Sequence, residues 1–346
     1  MTALSNNLQP LSMSQLLDRA IRLYRNNFLL FVGIVAIAQI PATAVNMIGL
    51  WLAPVPEFGF NPAASVTDVW LEMFQSLGYG NNLWVWLGRI VTLLLVQLAT
   101  AAMTKAVAEN YLGHKIGLFE AYQKIGRSGL KLLLATFIGI CFMAFLFLWW
   151  VIVPCFGWFT GLGMIFFFSL VVLPLVAPAI VLEKRDALSG LQRAWDLARR
   201  HFWWVVGFML LLGLFGQLIV TGPALLSVFV IQSTVGSGLD SNTSALVQQV
   251  ISLLLRLIYQ PLQLSCVTLL YFDVRVRTEG FDLALLALSE EASADNLVVT
   301  APALDKNAMP KWEEMGYFAL IEIAYFVLIA AIGLIFLIIG LSASGL

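Results

Sequence analysis

Long apolar runs alternate along this chain with short polar segments, most of them basic. A bilayer core takes about 20 apolar residues of helix. Seven runs reach that length: 28–52, 83–106, 130–153, 157–182, 202–231, 245–271 and 317–341. The pattern predicts an all-α polytopic helical membrane protein with about seven transmembrane helices and cytoplasmic amphipathic helices. Between the first two runs, 53–82 contains no Lys or Arg. There Ser65 is a candidate N-cap, and Val66, Trp70, Phe74 and Leu77 fall at helical spacing, which predicts a short helix lying on the outer interface.

The polar segments leading into runs one and five match each other. DRAIRLYRNNFLLFVG (18–33) lies over QRAWDLARRHFWWVVG (192–207), with Arg19/Arg193, Ala20/Ala194, Leu23/Leu197, Arg25/Arg199, Phe28/Phe202, Val32/Val206 and Gly33/Gly207 identical. LFEAYQKIGRSGLKLLLATF, before run three, has the same character but aligns poorly. The expected organisation is three copies of one module, an interfacial helix followed by a membrane hairpin. Residues 1–286 then form a repeat-built membrane domain of six spans, 287–315 a cytoplasmic linker, and 316–346 an extra C-terminal transmembrane helix. In the interfacial helices Arg19, Arg22, Arg25, Arg193, Arg199 and Arg200 are expected at the polar boundary, within reach of anionic headgroups or a partner.

Composition strengthens the membrane assignment. The 346 residues are 60% hydrophobic and 11% charged, with mean hydropathy +0.90, whereas a soluble domain carries about 25% charged residues. A net charge of −1 gives no pull toward nucleic acid. Of the 19 Lys and Arg, 17 fall before run one or between runs two and three (Lys105 and Lys131 at the edges), four and five, or six and seven, Arg89 and Arg256 being the others. The opposite loops carry only Glu57, Asp68, Glu72 and Asp240. This asymmetry places the N-terminus in the cytoplasm and the C-terminus outside. A basic lead and Ala42-Thr43-Ala44 imitate a signal peptide, but the apolar run continues to Leu52, so an uncleaved first span is expected. Cys141, Cys155 and Cys266 form no metal or redox spacing and read as packing residues.

Charge gathers in LLYFDVRVRTEGFDL (269–283). Asp273 and Arg277 are i,i+4 neighbours in the favourable order, Arg275 and Arg277 suit a helix C-terminus, and Gly280 is a natural stop. Asp282 is positioned to cap a following helix, DLALLALSEEA, with Phe281 and Leu286 as a staple. Asp273, Arg275, Arg277 and Glu279 join the candidate lipid or partner surface.

PLQLSCVTLLYFDVRVRTEGFDLALL, VAPAIVLEKRDALSGLQRAWDLARRHFWWVVGFMLL and LLDRAIRLYRNNFLLFVGIVAIAQIP together resemble the bacterial glycerophosphoryl diester phosphodiesterase membrane-domain family. The resemblance spans roughly 11–286 and leaves the last run outside. It implies a location in a bacterial inner membrane, and the membrane domain only. The phosphodiesterase itself resembles a TIM barrel of about 250 residues, and the longest non-membrane segment here is 272–316.

Arg89, Arg256 and Glu322 fall within spans and are candidate functional groups, with Gln260 beside Arg256. Arg256 lies deepest, in a polar, kink-prone half-helix with Pro261 and Gln263. Glu322 is a candidate partner, although about 13 Å separates their expected depths; Tyr259, Gln260 or a backbone carbonyl near a neighbouring kink suits the arginine better. Pro41, Pro154, Pro174, Pro178, Pro223 and Pro261 are expected to kink their spans. No catalytic pair, metal cluster or cofactor motif is evident. The expected function is non-enzymatic: a scaffold or accessory subunit that organises, assembles or regulates a membrane complex. A transporter of a lipid or small amphiphile is the alternative, and a membrane-embedded enzyme comes third.

Overall fold

In the computed structural model residues 11–52, 83–153, 156–224, 226–227, 230, 241–281 and 312–343 are described. Among them there are helices and no strand. A short helix followed by two long ones occurs three times. α1 (Met13–Asn26) precedes α2 (Phe28–Leu52) and α3 (Leu83–Tyr111). α4 (Leu118–Gln123) precedes α5 (Ser128–Ile152) and the continuous pair α6 (Phe156–Phe167) and α7 (Leu173–Glu183). α8 (Ala187–Arg200) precedes α9 (Phe202–Gly216) and α10 (Ser241–Glu279), and α11 (Trp312–Ala343) ends the chain.

Six helical stretches among the described residues are long and apolar enough to cross a membrane: Phe28–Leu52, Trp86–Tyr111, Ser128–Ile152, Phe156–Glu183, Phe202–Ala224 and Thr243–Glu279. The chain is an all-α polytopic helical membrane protein. α11 extends over the seventh expected run and starts before it, with Glu313 and Glu314 in its first turn, where acids suit the helix dipole. The expected helices at 65–77 and 282–292, Pro154, Cys155 and most of the linker lie outside the described residues.

The short helices have sequence-encoded starts and stops. Ser12 Oγ accepts from the Gln15 N–H at 3.3 Å, and the Gln15 side chain accepts from the Ser12 N–H at 3.0 Å, a capping box at the head of α1. Gly280, at φ 62°, ends α10 where a stop is expected. The core centres on α3, whose Ala101, Ala102, Ala106 and Ala108 are fully buried. Such small side chains let α2, α5, α7 and α10 approach closely.

Two membrane helices change pitch. Between α6 and α7 the turn Phe168–Val172 is π-helical, and so is Gln217–Thr221 after α9. In each, the residue after the turn donates to a carbonyl five positions back: Leu173 to Phe168, and Gly222 to Gln217. Each turn ends two residues before a proline, Pro174 or Pro223. A proline ring cannot donate to the carbonyl four residues earlier and crowds it; a wider turn relieves both conflicts. Thus at Pro174 and Pro223 the accommodation takes the form of a π turn.

Candidate functional site

Polar residues on one face of α10 recur at helical spacing: Gln249, Ser252, Arg256, Gln260 and Gln263. They line two open cavities where α10 meets α2 and α3. The larger, about 490 Å³, is walled by Gln39 of α2, Gln97 and Thr100 of α3, Ser169 and Pro174, Thr221, and Arg256, Tyr259, Gln260 and Gln263 of α10. The smaller, about 240 Å³, is walled by Gln39, Thr43 and Asn46 of α2, Thr92 of α3, and Gln248, Gln249, Ser252 and Arg256 of α10.

Chain direction orders the two cavities. On α10 the smaller takes residues 248–256 and the larger 256–267; α3 and α2 give the same order. The cavities are therefore stacked along the bundle. Gln39 and Arg256 belong to both and stand at the junction. From Gln248 to Val267 the lined length of α10 is about 28 Å, close to the thickness of a hydrocarbon core, about 30 Å. Gln39 Nε2 donates to Gln260 Oε1 at 2.6 Å, and Asn46 Nδ2 donates to Thr92 Oγ1 at 2.7 Å. Arg256 is exposed to the open space rather than enclosed. Among the described residues no carboxylate lines either cavity. The larger cavity also touches both π turns and lies beside Pro261, so its wall is built from the irregular parts of three helices.

A second polar centre lies near the basic end of the bundle and is buried. Glu183, at the end of α7, meets Arg193 of α8 at 3.1 Å and Arg275 of α10 at 3.5 Å. Arg193 reaches Glu279 at 2.5 Å, Arg275 reaches it at 3.1 Å, and the Tyr271 hydroxyl donates to Glu183. Arg275 also stacks 4.1 Å from the centre of the Phe281 ring. Burial by itself pushes the Arg193 guanidinium's pKa down. Its hydrogen bond to Glu279 and the negative charges around it outweigh that and hold the pKa above its ordinary value, so it stays charged. A neighbouring clamp ties the start of α1 to α10. Asp273 accepts from the Leu11 N–H at 2.7 Å, and Arg277 pairs with Asp273 at 2.7 Å and donates to the Leu11 carbonyl.

The structure corrects part of the sequence expectation. Arg193, Asp273 and Arg275 are not a headgroup-facing surface; they are buried, Arg275 completely. Glu279 and Arg277 are spent on the same internal contacts. The physical reason is that each also has a partner far away in sequence, Leu11 for Asp273, Glu183 for Arg275 and Glu279 for Arg193, and Glu183 draws both arginines inward. Arg19 is half-buried and donates to the Tyr111 hydroxyl, and Arg199 bonds Asp196. Arg22, Arg25 and Arg200 are exposed.

Of the four intramembrane candidates, Arg256 and Gln260 share the cavity and the others stand apart. Glu322 is buried between α11 and α6, where it accepts from the Leu162 and Gly163 N–H groups at 3.1 and 3.4 Å, so it is not the partner of Arg256. Arg89 is exposed and packs 5.4 Å from the Trp86 ring centre. The sequence reading missed Gln39, Asn46, Thr92, Gln97, Thr100, Gln248, Gln249 and Ser252. The signal that marks several of them is a polar residue recurring every three or four positions within an apolar run. No family model, curated protein or solved structure matches this chain.

Proposed function

We propose that this chain is a non-enzymatic membrane protein that takes the polar head of a lipid or small amphiphile into the cavities around Arg256 and moves it along the bundle. The observation that carries the reading is the polar stripe Gln249 to Gln263, lining two stacked cavities over about 28 Å of α10. Amides and hydroxyls at bilayer depth are costly unless they face partners or a cavity. The π turns and Pro261 supply points where the wall can bend. The lining groups are amides, hydroxyls and a guanidinium, none of them a general base near neutral pH.

We read the basic end as cytoplasmic by the positive-inside rule, with the N-terminus inside a bacterial inner membrane and the C-terminus outside. The segments that carry the resemblance to the phosphodiesterase membrane-domain family include Glu183, Arg193, Arg275 and Glu279. We take their shared feature to be the ionic joint between α7, α8 and α10, not an activity.

Purified protein in vesicles of phosphatidylethanolamine and phosphatidylglycerol tests the reading, with a trace of tail-labelled lipid reporting movement between leaflets. The wild type moves the label faster than protein-free vesicles, and Gln97→Leu/Gln263→Leu slows it about tenfold, equivalent to about 1.4 kcal/mol. Equal rates with and without protein exclude lipid movement. The accessory-subunit reading stands second. It is favoured by exposed Arg22 and Arg25 on α1 and by Phe119 on α4, 82% exposed. It predicts a stoichiometric partner lost when Arg22 and Arg25 are neutralised, with the cavity variants unaffected.

A further inference from the structure

We propose that the ligand's polar head is an oxyanion, of phosphate or carboxylate type, and that Arg256 holds it at the junction of the two cavities. This deepens the transport reading and rests on it for the ligand's passage, though not for its binding.

The charge balance of the site is the starting point. Among the described residues lining either cavity, Arg256 is the one cationic side chain and there is no Asp or Glu. A guanidinium does not give up its proton. At bilayer depth its charge is compensated by a counter-ion or by water. Glu322, the intramembrane acid, is committed to the Leu162 and Gly163 backbone. Glu183, Asp273 and Glu279 are committed to Arg193, Arg275 and Arg277 at the basic end. Among the described residues no acid is placed to supply that counter-ion, and an anionic ligand supplies one. A cationic ligand meets repulsion with no described carboxylate in the lining to offset it, and a neutral one leaves the guanidinium charge to water.

The neutral lining suits the same ligand. Gln260 uses its oxygen to accept from Gln39, which leaves its own amide hydrogens to donate. Gln97 and Gln263 each add an amide group to the larger cavity. Thr100 and Ser169 already donate to the Val96 and Phe166 carbonyls, so their hydroxyl protons are taken. Donors into the larger cavity thus come from Arg256, the glutamines and the Thr221 hydroxyl. A planar guanidinium with amide donors around it matches the several acceptor oxygens of an oxyanion. The cavity volume of about 490 Å³ falls in the range of ordinary ligand sites. Placed at the junction, Arg256 faces both chambers, so one anchor serves a head on either side of the Gln39–Gln260 pair.

Binding to the purified full chain in neutral detergent tests this independently of movement. Tail-labelled phosphatidylglycerol and tail-labelled diacylglycerol of the same chains are titrated, with inorganic phosphate as competitor. The expected result is a preference of about tenfold or more for phosphatidylglycerol. Arg256→Gln removes that preference, and Arg256→Lys keeps part of it. Gln263→Glu is the second variant, should Arg256→Gln not fold. It supplies an internal counter-ion and is expected to remove the preference with the arginine in place. Displacement by inorganic phosphate that depends on Arg256 assigns the site to a free oxyanion; no displacement assigns it to a lipid head. Equal binding of the two labelled lipids by the wild type, or a preference unchanged in folded Arg256→Gln, overturns the proposal. Selective binding without movement in vesicles upholds the oxyanion and overturns transport. Movement without a head preference does the reverse.

Discussion

Arg275 Nε lies 3.5 Å from Glu183 Oε1, and neither side chain is exposed. The two residues come from the ends of different membrane helices, and Arg193 and Glu279 complete the joint. Breaking a buried pair leaves a charge without compensation, which costs about 3–5 kcal/mol. Glu183→Gln and Arg275→Leu are each expected to lower the unfolding free energy in detergent by that order. In a double-mutant cycle the combined variant loses less than the sum. Additive losses would mean that the two residues do not interact.

The contact between α6 and α11 rests on a missing side chain. A Cβ at Gly163 would overlap the Phe318 backbone carbonyl, whereas a Cβ at Gly207 would meet only Met13 Cε, at 3.4 Å. Backbone yields less than the end of a methionine. Gly163→Ala is expected to destabilise by about 1–3 kcal/mol, and Gly207→Ala to be near neutral. Thermal melts of the two variants check the contrast.

The clamp at the head of α1 is testable by hydrogen exchange. Asp273 accepts from Leu11 N–H and orients Arg277, which also packs 4.6 Å from the Trp204 ring centre. A hydrogen bond to a charged group contributes about 1.5–3 kcal/mol, so Asp273→Ala is expected to speed exchange of the Leu11 amide about ten- to a hundredfold. Protection at Leu11 equal to the wild type would contradict the clamp.

Gln39 and Gln260 stand between the stacked cavities. Gln39→Ala is expected to join the two spaces, of about 490 and 240 Å³. In a chain with Cys141, Cys155 and Cys266 replaced by alanine, a cysteine at position 263 reports on this through its reaction with a charged thiol reagent. With Gln39→Ala the reaction from the side of the smaller cavity should accelerate about fivefold, the kinetic equivalent of about 1 kcal/mol for one hydrogen bond.

Helices were the most legible part of the chain. Apolar length marks 28–52 almost to the residue, and Gly280 marks the end of α10, because both are local properties. The pair Asp273–Arg277 was legible for the same reason, being one helical turn apart. Arg193 and Arg275 were misplaced because local periodicity sees the amphipathic face but not the acid at 183 that folds against it. Pairing of Glu322 with Arg256 already conflicts with their expected depths, and the actual partners of Glu322 are backbone N–H groups, which no side-chain pattern reveals. The π turns could be anticipated only as irregularity at Pro174 and Pro223. The cavity was half legible. Arg256, Gln260 and Gln263 stood out in a polar half-helix, but Gln39 and Gln97 become part of the site only when α2 and α3 pack against α10.

The most direct measurement places a photo-crosslinking amino acid at Ser252 and, separately, at Gln263, one position in each cavity. The full chain is irradiated in its native membrane, and the attached species is identified by mass spectrometry. The account predicts the same oxyanion-headed molecule at both positions, with attachment lost in Arg256→Gln. Attachment of bulk lipid in its membrane proportion, indifferent to Arg256, or of protein alone, would contradict it.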